Sequence, residues 1–461
     1  MSPNHRSRPR LTLAAAALGF VVVLLDVSVV NVALDALRTG FATDISGLQW
    51  VVNAYTLMFA ALLLMGGTLG DRLGARAVFV SGFAIFTLAS VACGLAPSLA
   101  TLVAARAAQG TGAALLVPNS LSLLQQAFPD REQRSRAVGW WGAAGGIALA
   151  AGPVAGGFLV THLGWRSIFL INLPIGMIGM ALALRYTIPS RTNGSRSLDL
   201  PGQATAILSL GALALALTNA ARLGWTHPQV LAGIAVALLS GAAFVANAAR
   251  SKAPMLPLSL FAIPAFSIAS AIGIIVNFAY YGLIFVFSLF FQLQEQLSPQ
   301  QTGIAFLPMT VVLMIMNIIA GRLITRLGAR RIMVFGLLLA AAGYGLLLQI
   351  HVAGSYWLLV VPMLMAASGI ALLIPTMTNI TLSAVDPSRV GIASGVLNTA
   401  RQVGGMVGVA TCGYLVRDTA ATAFMAGMHL SIALAVVLLV AGAALAFFGL
   451  HERPADVAPQ T

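Results

Sequence analysis

Apolar stretches of about twenty residues follow one another along the whole chain, each the length one helix needs to cross a bilayer, with short polar turns between them. They fall at roughly 11–34, 48–70, 77–96, 99–124, 137–160, 167–186 and 200–220, and then at 229–248, 264–292, 301–324, 332–350, 356–383, 391–414 and 427–449. The pattern predicts an all-α integral membrane protein with fourteen transmembrane helices. It also repeats. The stretch GTLGDRLGARA from Gly67 returns as GRLITRLGARR from Gly321, seven of eleven positions identical at an offset of 254. Gly112 to Pro118 (GAALLVP) returns as Gly369 to Pro375 (GIALLIP), five of seven at an offset of 257.

Two related halves follow, an organisation common among secondary transporters. Spans 1 to 6 and 9 to 14 carry the repeat, which divides the chain into an N-terminal six-helix bundle (1–199), a two-helix central insert (200–263) and a C-terminal six-helix bundle (264–461).

Composition supports the same picture. The chain is 59% hydrophobic and only 8% charged, with a mean hydropathy of +0.94, whereas soluble domains carry about 25% charged residues. A net charge of +13 would suggest nucleic acid in a soluble protein, but here the basic residues sit in the turns, where membrane topology accounts for them. With the N-terminus inside, 19 Arg and Lys fall in cytoplasmic segments and only Arg38, Arg166, Arg222 and Arg417 in outer loops. Both termini are therefore expected in the cytoplasm. The first apolar run follows several arginines, but it extends to Leu34, contains Asp26 and has no convincing cleavage site, so it reads as a retained span rather than a signal peptide.

Chemistry of the enzymatic kind finds no foothold. Cys93 and Cys412 lie far apart in apolar segments, and the six His residues show no ligand spacing, so neither a disulfide framework nor a metal site is expected. No loop exceeds about 15 residues, too short for an aqueous catalytic domain, and no phosphate loop for an ATP-driven pump is present.

The stretch Gly67–Arg76, with its weaker copy at Gly321, resembles the loop between helices 2 and 3 of major facilitator superfamily transporters. Further stretches, LDVSVVNVAL from Leu25, WVVNAYTL from Trp50, RAAQGTGAA from Arg106, GPVAGG from Gly152, WRSIFLINLPIG from Trp165 and GIASGVLNTARQVGG from Gly391, resemble the fourteen-span drug:proton antiporters of that superfamily. The resemblance covers nearly the whole chain. It implies a cytoplasmic-membrane exporter of small lipophilic drugs or antibiotics, without a cofactor, driven by the proton gradient and working by alternating access. Small molecules, protons and the bilayer are the expected partners, nucleic acid is not, and function as a monomer is expected. A dedicated exporter of one endogenous metabolite, such as a self-made antibiotic or a siderophore, would use the same motifs. The chain departs from the pattern at Asp35, where the family usually has proline, placing an extra carboxylate near the outer mouth, and at Ala75, where a basic residue is common.

Asp26, near the middle of span 1, costs about 2.5 to 3.5 kcal/mol on insertion scales if ionised. Two readings stand: a proton carrier, or a buried hydrogen-bonding residue that ties helices together, with Asn31 a candidate partner. Arg106 lies inside span 4 with Gln109, Gly110 and Ala113 on the same helix face. It needs a partner, and Asp26 is the natural one. Gly152, Pro153, Gly156 and Gly157 favour close helix approach with a kink at Pro153; the resemblance adds export direction and a seal against leak. Gly67, Asp71, Arg72, Gly74 and Arg76 form a cytoplasmic turn in which Asp71 is expected to cap the next helix or pair with a helix end.

Candidates for the substrate cavity are Asn31, Tyr55, Gln109, Asn119, Asn277, Tyr281, Gln292, Asn398 and Arg401. Span 9 is rich in aromatics, from Phe266 through Tyr280 and Tyr281 to Phe291, which suit flat lipophiles or ordinary helix packing alike. Arg401 is the one strong charge of the C-terminal spans and either meets an anionic group or pins helices. The absence of Asp and Glu from those spans points to neutral or monocationic substrates.

Overall fold

Lipid offers a bare backbone no hydrogen-bond partners, so a crossing segment must satisfy its own amides, and a helix does this within one segment. The computed structural model describes residues 8–188, 199–251, 254–352, 354–386 and 389–450, and no strand occurs among them. Of the charges counted above, Arg6, Arg191, Arg196, Lys252 and Arg453 lie outside the described residues. Helix α1 covers Pro9–Val32 and is followed by the short α2, Leu34–Gly40. Then come α3 (Ile45–Leu73), α4 (Ala75–Gly94), α5 (Leu99–Ala127) and α6 (Arg131–Leu163). The next span is broken near Ile171 into α7 (Ser167–Leu170) and α8 (Asn172–Tyr186). The central pair is α9 (Leu200–Leu223) and α10 (Pro228–Arg250). The last six are α11 (Pro264–Leu289, prolonged by a wide turn over Phe290–Gln294), α12 (Pro299–Leu327), α13 (Ala329–Leu346), α14 (Tyr356–Ser383), α15 (Val390–Leu415) and α16 (Ala421–Gly449).

Thirteen segments among the described residues are long and apolar enough to cross a membrane. The expected fourteenth, α15, forms as a helix but is too rich in glycine, with Asn398, Arg401 and Gln402 along it, to match the others in apolarity.

Side chains at the turns explain where helices start. Asp44, Ser98 and Asp130 accept the backbone N–H of Gly47, Thr101 and Gln133 at 3.0, 3.3 and 2.9 Å. Ser298 and Gln301 form a reciprocal capping box on α12. The repeat is visible in the backbone itself: Gly74 and Gly328, 254 positions apart, both take positive φ, +95° and +83°, between one long helix and the next. A side chain there would be strained.

This corrects the reading of the Gly67 turn. Gly67, Asp71 and Arg72 all belong to α3, and the break is confined to Gly74. The N-cap of α4 is Gly74, and Asp71 stands three residues before it, in the last turn of α3.

In the N-terminal bundle α1 packs on α6 and α8, and α5 packs between α3 and α4; in the C-terminal bundle α11 packs on α15, and α13 on α14 and α16. The two bundles meet along α6 against α12 and α3 against α15, while α9 and α10 pair with each other and α9 lies against α3 and α15. Glycines set the crossings: a Cβ on Gly110 would stand 2.2 Å from the Tyr55 carbonyl oxygen, and one on Gly408 2.4 Å from that of Phe278. Helix backbones touch there because nothing protrudes.

A clasp holds the central pair. Asp199 accepts from Gly202 N (2.9 Å), Asn247 Nδ2 (2.8 Å) and Met255 N (3.0 Å), joining the start of α9 to the end of α10 and the chain beyond. Partial burial pulls the Asp199 carboxyl up, but these three bonds outweigh it and hold its pKa below the ordinary value. A depressed carboxylate stabilises fully above its unfolded pKa and loses that contribution as pH falls through the folded one. Asp199→Ala is expected to cost about 1 kcal/mol, the usual loss for a helix N-cap, read as a lower thermal midpoint of the purified protein. The gap between wild type and variant should close only when the pH drops below the ordinary carboxylate range, and a gap that closes on raising the pH would contradict the clasp.

Candidate functional site

Asp26 of α1 is fully buried, as is Arg106 of α5, and the two form an ion pair between Arg106 Nη1 and Asp26 Oδ2. Their charges are embedded in a polar cluster drawn from four further segments. One turn on from Arg106, Gln109 accepts from Arg106 Nη1 at 2.8 Å and donates Nε2 to Asp26 Oδ1 at 2.8 Å. Asn172, at the break before α8, donates to the same Oδ1 at 3.2 Å and to Ser90 Oγ at 3.0 Å. Ser90 of α4 also accepts from Gln109 at 3.1 Å and donates to the Phe169 carbonyl at 2.8 Å. Arg106 Nε reaches the Val51 carbonyl of α3 at 3.1 Å, and its guanidinium lies 4.4 Å from the centre of the Tyr55 ring. The cation is thus held by a carboxylate, an amide, a carbonyl and an aromatic face.

Removing one member of a buried pair strands the other, typically at about 3 to 5 kcal/mol. The cluster therefore holds a carboxylate and a guanidinium deep in apolar surroundings.

The structure brings together only part of the residues singled out in the sequence. Gln109 and Tyr55 belong to the ion-pair cluster rather than to a cavity. Asn31 does not touch Asp26: its Nδ2 turns back to the Val27 carbonyl at 3.0 Å, because Asp26 and Asn31 are five residues apart and lie on different faces of α1. Asn119 ties α5 to α3 through the Gly66 carbonyl at 2.9 Å, tucked against Gly70. Asp35 is not a free charge at the mouth but pairs with Arg38 at 2.8 Å. Most span-9 aromatics, Phe266, Phe285, Phe290 and Phe291 among them, are buried in the core. Ser90 and Asn172 were missed. Asn172 was on view as the one strongly polar side chain of the apolar run after Arg166, whereas a lone serine such as Ser90 carries no signal.

Between the bundles Val27, Ser28 and Asn31 of α1, Leu149 and Pro153 of α6, Tyr280 and Tyr281 of α11 and Phe306 of α12 line a narrow cleft of about 20 Å3. That is room for about one water molecule, well short of the roughly 300 Å3 or more of a drug-sized site.

Bonds between the bundles gather at the end where α1 finishes. Gln292 accepts from Asp35 N at 3.0 Å and Ser288 donates to the Asn31 carbonyl. Gln49 donates to the Val409 and Ala410 carbonyls, at 3.1 and 2.7 Å, and Gln300 N donates to Thr161 Oγ1 at 3.2 Å. Gln292, read as a cavity residue, is one of these ties. The Gly-Pro stretch serves both sides of α6: Gly152 and Gly156 admit Ser28 and Val29 of α1, while Gly157 faces the Pro299 carbonyl of α12 and Gly303 the Pro153 carbonyl. Toward the other end of α6, Gly139, Gly142 and Gly146 have nothing within 4 Å of a Cβ position.

Two facing helical bundles, with their buried charge pair enclosed inside one of them and a cleft at the seam, have the build of a membrane carrier. The chain matches the Major Facilitator Superfamily over residues 16–409 and 269–460 and belongs to it. It is 40% identical over 407 residues to the methylenomycin A resistance protein of Streptomyces coelicolor, covering 88% of this chain and 86% of that protein. It is 38% identical over 403 residues to the multidrug resistance protein Stp of Mycobacterium tuberculosis, covering 87% and 75%. Among solved structures, the D-xylose–proton symporter superposes with a TM-score of 0.71 at 15% identity over 96% of this chain and 98% of that one, a likeness of fold. The protein is a multi-pass cell-membrane transporter and not an enzyme.

Closure at the α6–α12 seam depends on missing side chains. A Cβ at Gly157 would stand 2.5 Å from the Pro299 carbonyl oxygen, and one at Gly303 2.2 Å from that of Pro153. Gly157→Val and Gly303→Val are expected to prise this end open. An Asn31→Cys probe in the cleft should then react several-fold faster with a polar maleimide added on that side, while Gly146→Val leaves its rate unchanged. Equal labelling in all backgrounds would show that the glycines do not control the seam.

Proposed function

We propose that the protein is a proton-coupled antiporter that exports small lipophilic drugs or antibiotics across the cytoplasmic membrane by alternating access. The named relatives, one a methylenomycin A resistance protein and one a multidrug resistance protein, support drug export. The observation that carries proton coupling is the enclosed Asp26–Arg106 pair, a titratable carboxylate buried where its charge state decides whether Arg106 has a counter-ion. In this reading α15 is the fourteenth span, both termini are cytoplasmic, and no cofactor is needed. Residues 1–199 handle the proton, 200–263 form an insert and 264–461 favour substrate variation, all within a functional monomer. The end closed by the bonds between the bundles is then the outer one, and the structure is inward-facing.

Protonating Asp26 removes the charge facing Arg106 but leaves Gln109, the Val51 carbonyl and the Tyr55 ring as its partners. The guanidinium is then under-compensated, and the helices that carry it favour an arrangement that exposes it to water. Proton entry from one side and release on the other follow when only one arrangement is open to each side.

Transport in inside-out vesicles under an imposed pH gradient tests this. Asp26→Asn should slow proton-driven uptake about a hundredfold or more, equivalent to about 2.7 kcal/mol in the barrier. The single variant should also be less stable, by about 3 kcal/mol or more for the stranded arginine. Asp26→Asn combined with Arg106→Gln should recover stability without recovering the proton drive, which separates coupling from folding. Proton-dependent export at the normal rate in Asp26→Asn would sink the proposal.

A further inference from the structure

Arg106 and Arg401 both lie deep within their helices, away from the helix ends. Arg106 is matched by Asp26, whereas Arg401, midway along α15, has no carboxylate within ion-pair reach among the described residues. Its Nε is buried without a hydrogen-bond partner, and its Nη1 makes only a stretched bond of 3.4 Å to Asn398 Oδ1 one turn earlier. An intramembrane guanidinium left in this state needs an anion or water.

Glycines and a tyrosine shape the surroundings of this side chain. The Arg401 stem passes over Gly273 of α11, where a Cβ would lie 3.3 Å from Arg401 Cγ, so that α11 leaves it a groove. At four-residue intervals from Gly273 come Asn277 and Tyr281, on the same face of that helix. Tyr281 is seated on Gly405, one turn beyond Arg401. It also lines the cleft between the bundles. A cation with free donors thus stands beside an aromatic wall that opens onto the seam.

We infer that Arg401 with Tyr281 forms a binding subsite for a single delocalised oxyanion, a carboxylate or acidic enol, carried on a flat apolar body. The inference rests on the export reading above and specifies its substrate class: amphipathic monoacids. It replaces the expectation of neutral or monocationic substrates, since Asp26 is already used by Arg106 and Arg401, with no carboxylate in ion-pair reach among the described residues, repels cations. Guanidinium suits the role because its planar fork grips a planar oxyanion with two donors.

The test uses three matched probes that differ only in charge: pyrenebutyrate, its methyl ester and the pyrenebutyl-trimethylammonium cation. Each is titrated by fluorescence into the full-length protein in nanodiscs, with empty nanodiscs subtracted. Wild type should bind the acid at least about tenfold tighter than the ester or the cation, a difference of about 1.4 kcal/mol. Arg401→Gln should abolish that preference while leaving ester affinity unchanged, and Arg401→Lys should retain part of it. A purely structural arginine would instead lower all three affinities together. Wild type without preference for the acid, or a Gln variant that keeps it, overturns the proposal; if the Gln variant does not fold, the order of the probes on wild type and on the Lys variant decides. Binding of none of the three probes overturns it as well, while the export reading stands or falls separately on proton-driven transport in vesicles.

Discussion

A carboxylate and a guanidinium sealed inside a helical bundle must find every partner within the protein, and the N-terminal half is arranged around that requirement. Water would satisfy Asp26 and Arg106 at no structural expense; lipid cannot. The polar side chains that stand in for water come from α4, α5 and the start of α8, and a carbonyl and an aromatic ring come from α3. Each is placed by a helix that must approach closely, which is why Gly110, one residue beyond Gln109, has no side chain to hold α3 away from α5. Charge burial and glycine packing are here two sides of one constraint.

The two halves share a backbone plan and differ in chemistry. Gly74 and Gly328 turn the chain in the same way at equivalent places, and the helices around them pack in corresponding pairs. The acid at Asp71 has no counterpart at Thr325, and among the described residues the closed ion pair of the first bundle has none in the second, where Arg401 has no carboxylate within ion-pair reach. The scaffold is thus symmetric while the charge it carries is not.

Much of this was legible in the sequence because hydrophobic length and charge scarcity are strong signals in a membrane. With so few acids available inside the spans, Asp26 was the natural partner for Arg106, ahead of Asp35 at the end of its span, and they are paired. The Gly-Pro stretch of α6 likewise pointed to close contact, and it lies at the seam. Signals that depend on which neighbour a helix face meets were not legible. Asn119 and Gln292 are polar and lie within spans, as cavity residues do, yet one stitches two helices of the same bundle and the other ties the bundles together. The charged stretch after Gly67 looked like a turn because it breaks the apolar pattern, but a helix that leaves the membrane can simply continue, and α3 does so to Leu73. α15 shows the reverse failure: its glycines and polar residues dilute its apolarity because it is packed against α11 and α3 rather than against lipid.

Helix α1 connects the charge cluster to the seam. Asp26 projects into the N-terminal bundle toward α5 and α8, while the next two residues, Val27 and Ser28, together with Asn31, line the cleft shared with α11 and α12. Immediately beyond, Asp35 N and the Asn31 carbonyl hold the C-terminal bundle through Gln292 and Ser288. The Asp26 ion pair and the contacts between the bundles therefore lie within about two to three helical turns of each other along one stretch of chain. The same few residues of one helix thus carry both the Asp26 ion pair and the contacts that tie the two bundles at the seam.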